Sequence, residues 1–579
     1  MSSTVCVSGH RIAKLLLYLE GEMRLLGKTN FTGSYLSLFL LGTILIFFRS
    51  AYSFITPYLY AEDGSWIFEL INDGFLHTFI HQRYFMTGYL ILEEISIWIN
   101  RLLFGFNIRH LPEVIAVVSY SFQSLIALMA FVCLKPNLSL ILRSLVWLMV
   151  LLMPTGSTGF EIFGRIMNYG YMFFFIAFML TFYLVFNASA STGRARLTAI
   201  AVILWVCSTT NAASNLILAL GFLLDVLLQL SVLKGKTCSG SRVAFYLKEL
   251  FGTFKFRLWL VLGIVCGICF LYQAFAMRLL GEGSTGSAVN YGNTVEFFGR
   301  AILYYFTWPF YRDLNDIYVL IMLGLFALLS VLAIMVAGKG RRAEAFYLVS
   351  GTLLIAMATF GMRPGLTSFL DGYKSTFPDR YYYVINLCAM VSVVYSAACL
   401  ERCRPLGFGR FYIYALLLLP VFYSPSSIFE FNKYMDVRSL PMEVFQAQRQ
   451  QDGLYLVKSN PENWFVRIPE NYALSTVRNV RNYSALIRSE KCYALYSDSV
   501  LHAVYDGYDR NIWFAIWSDD NGQDDIVWGK AESGCTDGGS CYDLKLSSEK
   551  IHESPYYVHV YQGQNGPERM LCGFITPVR

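Results

Sequence analysis

The sequence predicts an α-helical polytopic membrane protein with a small soluble α+β domain at its carboxyl end. Of the 579 residues, 55% are hydrophobic and only 15% are charged, whereas soluble domains carry roughly 25% charged residues. The apolar residues also gather in repeated runs of about 18 residues or more, the length that crosses a bilayer as a helix. We therefore expect several spanning helices, followed by a polar segment of different composition.

About eleven apolar segments are predicted to be spanning helices, because each is long enough, or nearly so, to cross the membrane. They are predicted near residues 34–54, 113–134, 138–153, 169–186, 197–209, 215–233, 258–275, 317–337, 345–360, 383–400 and 411–423. The segments near 138, 197 and 411 are short for a span. The eleven segments together predict a transmembrane domain over residues 34–425.

The basic residues predict the orientation, because cytoplasmic loops carry an excess of Lys and Arg. The N-terminal segment 1–33 is basic and is expected in the cytoplasm. If the spans alternate, the same side receives the basic loops near 135–143, 194–196, 234–257, 339–342 and 402–404. The outer side receives 56–112, 154–168, 278–316, 361–382 and the tail. The basic residues that give the net charge of +6 are therefore interpreted as markers of cytoplasmic loops. They are not interpreted as a sign of affinity for nucleic acid.

The tail, residues 426–579, is polar and rich in Tyr, and its alternating stretch 556–561 predicts a strand. Four cysteines in an outer domain predict two disulfides in an oxidising compartment. These are Cys492, Cys535, Cys541 and Cys572. The spacing of Cys535 and Cys541 would suit a tight loop. Zinc is the alternative, but neither a CxxC motif nor a neighbouring His pair supports it.

An acidic stretch, YAEDGSWIFELINDG at residues 60–74, directly follows the first apolar run. Carboxylates at that depth are costly unless water, a cation or a substrate meets them. Gly64 predicts the start of a short amphipathic interfacial helix, and Gly74 predicts its end. Glu62 and Asp63 would then lie at the helix N-terminus, where the dipole stabilises anions. We expect an ionised Asp63 that acts as a general base toward a hydroxyl. Alternatively, EDG is only a helix cap and NDG only a turn.

A second amphipathic segment, residues 90–101, contains the adjacent carboxylates Glu93 and Glu94. Two neighbouring carboxylates would be very costly in lipid. We therefore predict a second interfacial helix and not a span. The first outer loop, 56–112, would then consist mainly of two helices that lie along the membrane.

This layout resembles the GT-C superfamily of integral membrane glycosyltransferases, in which a long first outer loop carries an acidic catalytic motif. The motifs AEDG at 61–64, NDG at 72–74, GYL at 88–90 and NRL at 100–102 look most similar to those of bacterial members that add side-branch sugars to O-antigen, including serotype-converting glucosyltransferases. The motif match covers about residues 57–105. Beyond that, the similarity is one of architecture.

The resemblance implies a polyprenyl-phosphate-linked sugar as donor and a lipid-linked or polymeric glycan as acceptor. It also implies a bacterial inner membrane, with the active site and tail facing the periplasm. Asp63, with Glu62 beside it, would deprotonate the acceptor, and one direct displacement would invert the anomeric centre. No cofactor is predicted, and a divalent metal requirement is left open because no DxD-type motif stands out.

The leaving phosphate would need cations, for which Arg is well suited. The candidate substrate-binding residues of the outer loops are Arg83, Arg165, Arg312, Arg363, Lys374, Arg380, Asp73 and Tyr84. For each basic residue the alternative is a charged head that snorkels to the interface.

Other functions stay open at this stage. A polysaccharide polymerase or ligase would also have many spans and Arg-bearing outer loops, although its large outer loop usually comes late in the chain. A flippase or transporter predicts charges within spans and internal repeats, and the sequence contains little of either. A membrane anchor for an adhesin domain would need a single span.

Overall fold

The computed structural model of the chain describes most of the helical region and the strands of the tail. The described ranges are 31–55, 62–81, 86–105, 110–153, 162–188, 192–234, 251–279, 337–362, 380–403, 448–449, 454–459, 464–469, 492–497, 500–505, 511–518, 526–533, 540–545, 556–564 and 566–576, with single positions at 59, 249 and between 324 and 335.

Twelve α-helices are found within these ranges. They are α1 (Phe31–Arg49), α2 (Tyr52–Ile55), α3 (Glu62–His81), α4 (Thr87–Phe104), α5 (Leu111–Cys133), α6 (Leu140–Leu152), α7 (Tyr169–Phe182), α8 (Arg194–Thr210), α9 (Ser214–Lys234), α10 (Phe254–Leu279), α11 (Lys339–Met362) and α12 (Arg380–Cys403). A π-helical turn, Tyr183–Asn187, continues α7.

Eleven strands follow in the described part of the tail. They are β1 (Gln448–Arg449), β2 (Leu454–Ser459), β3 (Trp464–Pro469), β4 (Cys492–Ser497), β5 (Val500–Tyr505), β6 (Ile512–Ser518), β7 (Val527–Lys530), β8 (Glu532–Ser533), β9 (Ser540–Lys545), β10 (Tyr556–Gln562) and β11 (Arg569–Thr576).

The described helices support the membrane character predicted from composition. Five of them are long and apolar enough to cross a bilayer: 111–133, 169–187, 214–231, 254–272 and 383–400. Nine of the predicted spans coincide with described helices. The segment 411–423 lies outside the described residues, and 317–337 is described only at scattered positions. The total of eleven spans therefore stays a prediction.

The described residues fall into two compact units. The first draws on Met1–Ala51, Phe79–Ile91 and Val118–Phe431, and the second on Tyr52–Thr78, Leu92–Val117 and Asn432–Arg579. The second unit therefore joins most of the acidic outer segment to the tail, although more than 300 residues separate them in the sequence.

The centre of the first unit is α7, whose residues from Tyr169 to Phe182 are almost all buried. A helix that is apolar on every side is stable only when other helices or lipid surround it. Here α8, α9, α11 and α12 pack against it. The Tyr347 hydroxyl of α11 donates to the Phe178 carbonyl of α7 at 2.8 Å, so the packing is apolar with polar links.

An ion pair joins α9 to α10. Lys255 Nζ lies 2.7 Å from Asp225 Oδ1, and the same nitrogen donates to the Val185 carbonyl at 3.1 Å. Gln229 donates to the second Asp225 oxygen at 2.8 Å. Both charges are thus paired and hydrogen-bonded, as buried charges must be. The arrangement explains these charges structurally.

The described part of the tail contains three antiparallel sheets, with strand orders β1-β2-β3, β11-β10-β6-β7 and β4-β5-β9-β8. The predicted strand at 556–561 is confirmed as β10. The strands of the α+β expectation are confirmed, and its helices stay a prediction, because the described residues of this segment contain strands and no helix. Short alternating segments between turns form sheets readily without a covering helix.

The two four-stranded sheets pack through an apolar interface. Phe514 and Ile516 of β6 and Val558 and Val560 of β10 are fully buried. Phe514 stacks on Tyr542 of β9, with 6.3 Å between ring centroids. Alternate residues of β6 therefore form the core of a β-sandwich.

Within the second unit, the start of α3 packs against β3. A Cβ atom on Gly64 would lie 2.5 Å from Val466 Cγ1, and both residues are buried. Val466 is β-branched and therefore has little freedom to turn away. Gly64 is thus explained by close packing against the tail, in addition to any role in starting the helix.

The sheet register limits how the four tail cysteines can pair. Cys492 lies on β4 opposite Tyr505 of β5, and Cys541 lies on β9 opposite Val504 of β5. With β5 between them, their Cα atoms are about 9–10 Å apart, since neighbouring strands are spaced by about 4.8 Å. Disulfides need a Cα separation of about 4.4–6.8 Å. Cys572 lies on β11, which contacts β4, and Cys535 lies outside the described residues.

We predict that Gly64→Ala destabilises the protein, because overpacking costs about 1–3 kcal/mol while Ala in a helix recovers only about 0.5–1 kcal/mol. Thermal unfolding of the purified protein measures the change. In a Val466→Ala background the obstacle is removed, so Gly64→Ala should become neutral or stabilising. An equal loss in both backgrounds would show that Val466 is not the obstacle.

We also predict that no disulfide links Cys492 to Cys541. The contact between β4 and β11 is compatible with a pair of Cys492 and Cys572, and the sequence spacing suits a pair of Cys535 and Cys541. Mass spectrometry of unreduced proteolytic fragments identifies the linked peptides. A fragment that joins Cys492 to Cys541 would contradict the register, and four free thiols would contradict the expectation of disulfides.

Candidate functional site

The acidic stretch forms the first turn of α3. The helix begins at Glu62, two residues before the predicted start, so Glu62 and Asp63 both belong to it. Asp63 is 1% exposed, and its carboxylate is therefore held inside the protein near the positive end of the helix dipole. Trp66, Ile67 and Leu70 on the following turns are buried as well. The side chain of Glu62 is not among those the structure describes.

A helix break lies at Gly74. Its φ of 81° and ψ of 164° lie outside the helical region, so one helix ends there and a second continues to His81. The prediction of a helix stop at Gly74 is confirmed. Only glycine adopts this conformation without strain. Before the break Trp66 and Leu70 are buried, whereas after it the apolar residues Leu76 and Ile80 are more than 60% exposed, as in a helix at a membrane surface.

Asp73 does not join Asp63 in a common buried site. Its side chain is 48% exposed and lies 4.0 Å from His77 Nδ1 on the next turn. Ten residues of helix separate the two carboxylates, which corresponds to about 15 Å. The predicted substrate-binding role of Asp73 therefore receives no support from its position.

The helix α4 buries three of its polar residues. Glu93, Ser96 and Asn100 recur at intervals of three and four residues and are buried. A second stripe at the same spacing is exposed and apolar, and it consists of Ile91, Ile95, Trp98 and Leu102. The charged residues Glu94 and Arg101 are exposed as well. An exposed surface of this mixed kind is expected for a helix at the boundary between lipid and water.

Glu93 is the most unusual of these residues. It is fully buried, and within the part of the chain that the structure describes neither of its carboxyl oxygens has a hydrogen-bond partner. Burial raises its pKa well above the ordinary value, and the negative charges of Asp63 and then Glu69 raise it further. The neutral, protonated carboxyl is thereby favoured. The adjacent Glu94 is exposed.

The second compact unit therefore contains two buried carboxyl groups in different environments. Asp63 lies at a helix N-terminus, which favours an anion. Glu93 lies within a helix, and burial and neighbouring negative charge favour its neutral form. Pairs of carboxyl groups whose environments separate their pKa values are characteristic of acid–base sites. Sequence analysis treated Glu93 only as an obstacle to a span. The inward spacing of residues 93, 96 and 100 was the available signal.

The first compact unit contains two buried arginines. Arg49, at the end of α1, donates through its two Nη atoms to the carbonyls of Leu151 and Met153 at the end of α6. Its guanidinium lies 4.3 Å from the centroid of the Phe163 ring. These contacts satisfy carbonyls that a helix end leaves open and explain Arg49 as a structural residue, which sequence analysis had not predicted.

Arg165 is equally buried, with 1% exposure. Its Nη1 donates to the carbonyl of Gly164 at 3.0 Å, and Gly164 has a φ of 75°. The Gly164 amide in turn donates to Ser119 Oγ at 2.9 Å. Of the predicted phosphate-binding residues, Arg165 is the one whose side chain the structure describes, and a buried guanidinium of this kind suits either an anion or a loop carbonyl.

The remaining predicted residues cannot be placed in a site. Arg380 is the first residue of α12, and its side chain is not described. Arg83, Tyr84, Arg312, Arg363 and Lys374 lie outside the described residues. In the described part of the chain, no three His, Cys, Asp or Glu side chains gather closely enough to hold a metal ion.

Comparison with known proteins finds one similarity. Residues 502–574 match the family model described as a GBS Bsp-like repeat. No curated protein matches the chain. The match begins within β5 and ends within β11, so it concerns the two four-stranded sheets of the tail and not the membrane helices or the acidic site.

Proposed function

We propose that this chain is a membrane glycosyltransferase that moves a single sugar, such as a hexose, from a polyprenyl-phosphate donor to a glycan acceptor. The proposed site faces the outer side of the bacterial inner membrane. The observation that carries the proposal is the buried Asp63 at the N-terminus of α3, with Glu93 close enough for the Asp63 charge to raise its pKa.

Three further features support this proposal. Five helices are apolar and long enough to span a membrane, which gives a lipid-linked donor access to the protein. The exposed apolar stripe of α4 suits a helix that lies at the lipid surface. The sequence motifs of residues 57–105 resemble those of GT-C enzymes that use such donors.

The proposed reaction is a single displacement. Asp63 accepts the proton of the acceptor hydroxyl while the hydroxyl oxygen attacks the anomeric carbon of the donor sugar. The bond from that carbon to the phosphate oxygen breaks, and polyprenyl phosphate leaves with the bonding electrons. The new glycosidic bond forms on the opposite face of the ring, so the anomeric centre is inverted.

Glu93 supports this chemistry as a positioning residue. Because its neutral form is favoured, Asp63 remains the base of the pair. An ionised Glu93 would place a second negative charge near Asp63 and raise the pKa of Asp63 by repulsion. The leaving phosphate would be stabilised by cations of the outer loops, for which Arg165 and Arg380 remain candidates together with the basic residues outside the described ranges.

We predict that Asp63→Asn abolishes sugar transfer, because loss of a general base typically costs about 10²–10⁴-fold in rate. Cells that lack the gene are complemented with wild type, Asp63→Asn or the control Glu94→Gln, which changes an exposed carboxyl of the same segment. The mass and linkage profile of the surface glycan is then measured, with membrane levels of each protein determined in parallel. Wild type and Glu94→Gln should add one sugar per repeat, and Asp63→Asn none.

Other outcomes would replace the proposal. A change in glycan chain length, without a change in the repeat unit, would indicate a polymerase or ligase. Accumulation of lipid-linked sugar on the inner side of the membrane would indicate a flippase. An identical glycan in every strain, including the strain without the gene, would contradict transfer to this acceptor.

We predict that Glu93→Gln stabilises the protein increasingly as pH rises and retains transfer activity, because Gln keeps a neutral side chain near Asp63. The unfolded chain releases this proton near the ordinary pKa, whereas the folded chain retains it to higher pH. Wild-type stability is therefore lost between those two pKa values, by at most about 1.4 kcal/mol per pH unit. Gln cannot ionise, so it avoids this loss.

Thermal unfolding at several pH values between 5 and 8 measures this effect, with Glu94→Gln as the matched control. The gap between Glu93→Gln and wild type should widen with pH, and Glu94→Gln should follow wild type. A constant gap would show that Glu93 titrates normally, and loss of transfer activity in Glu93→Gln would show that a neutral side chain at this position is not sufficient.

A further inference from the structure

The outward side of the sheet β11-β10-β6-β7 carries an unusual set of side chains. On β6, Trp513 and Ala515 lie opposite Tyr561 and His559 of β10. On the other side of β6, the same two residues lie opposite Lys530 and Trp528 of β7. Residues paired across strands share a face of the sheet. Together with Trp517, these residues form what we call the aromatic face.

The rings of this face contact one another across the strands. The ring centroids of Trp528 and Tyr561 are 5.3 Å apart. The rings of Trp517 and His559 are nearly perpendicular, and their centroids are 4.5 Å apart. Lys530 Nζ lies 5.8 Å from the centroid of the Trp513 ring. The rings therefore form a connected platform whose geometry is held by the sheet, which lowers the entropy lost on binding a ligand.

The aromatic face is not the core of the domain. The core lies on the other side of β6, where Phe514 and Ile516 are fully buried. By contrast, Trp528 is 43% exposed, Lys530 is exposed, and Trp513, His559 and Tyr561 are partly exposed, whereas Ala515 and Trp517 are buried. A contiguous group of accessible aromatic side chains often marks a binding site.

Polar atoms border the rings. Trp513 Nε1 donates to the Gly563 carbonyl at 3.0 Å, which fixes that indole. The Tyr561 hydroxyl lies 3.5 Å from His559 Nδ1. Burial lowers the pKa of His559, so at neutral pH its ring offers one donor and one acceptor. The named side chains of the face include one cation, Lys530, and no carboxylate.

We propose that the aromatic face binds the sugar rings of a neutral or acidic glycan. The C–H groups on one side of a pyranose ring are apolar and pack on an aromatic ring, while its hydroxyls need hydrogen bonds at the ring edge. The face supplies both, through Trp528, Tyr561 and Trp513 and through the polar atoms of His559 and Tyr561. Lys530 is the one charged side chain among the residues of the aromatic face, so the face favours a neutral or anionic ligand and disfavours a cationic one.

As a glycan-binding surface, the aromatic face does not depend on catalysis at Asp63. As the surface that holds the acceptor chain near the membrane, it rests on the proposed glycosyltransferase function. A surface that binds several repeats of a polymer would keep the next acceptor close after each transfer, since tethering raises its effective concentration.

The test measures binding of fluorescently labelled polysaccharide, released by mild acid from the surface glycan of the producing cell. The full-length protein is held in lipid nanodiscs, and fluorescence anisotropy is the signal. Trp528→Ala should weaken binding about tenfold, and Trp528→Phe should weaken it less. The matched control is Val527→Ala, which changes the neighbouring residue of the same strand, also exposed, whose side chain alternates to the other face.

Equal affinities of Trp528→Ala and Val527→Ala would overturn the proposal, as would absence of binding by wild type. Displacement of the polysaccharide by anionic lipid vesicles would assign the face to the membrane instead. Asp63→Asn separates the two proposals. Normal polysaccharide binding with no transfer activity in any variant would contradict only the proposed function. Full transfer activity with no binding at the aromatic face would contradict only the present inference.

Discussion

The outer segment of this protein is governed by one constraint: a polar group that faces hydrocarbon has no partner and is costly. In α4 the constraint directs Glu93, Ser96 and Asn100 inward and leaves an apolar stripe outside. The orientation places a carboxyl group inside the protein, close to the buried Asp63, and the acid–base character of the candidate site follows from it.

The two carboxyl groups lie in different surroundings. Asp63 lies in the first turn of α3, where the backbone amides and the helix dipole favour an anion, whereas burial and then neighbouring negative charges raise the pKa of Glu93. One carboxyl group is thus disposed to accept a proton and the other to retain one. Burying Glu93 without a hydrogen-bond partner among the described residues lowers stability.

Patterns that depend on local composition were predictable, and contacts between distant segments were not. Long apolar runs predicted the helices 111–133 and 383–400, and alternation predicted β10. The motif also predicted that Asp63 lies at the start of a helix, and its catalytic role stays a prediction. Whether Glu93 points into the protein or outward could not be deduced, because the same sequence can form a helix in water or at a lipid surface. The need for Gly64 depends on Val466, about 400 residues later, and no local pattern reports such a contact. Arg49 was missed for the same reason, since its carbonyl partners follow by about 100 residues.

The surface of the tail that packs against α3 and the aromatic face lie in different parts of the tail sequence. Val466 of β3 packs against Gly64 at the start of α3, and it lies outside the segment that matches the GBS Bsp-like repeat. The aromatic face, from Trp513 to Tyr561, lies wholly within that segment. The part that contacts the acidic helix is therefore separate from the part that resembles a repeat found in other proteins. Because the two surfaces belong to different sheets, a ligand on the aromatic face would not displace the sheet that packs against α3.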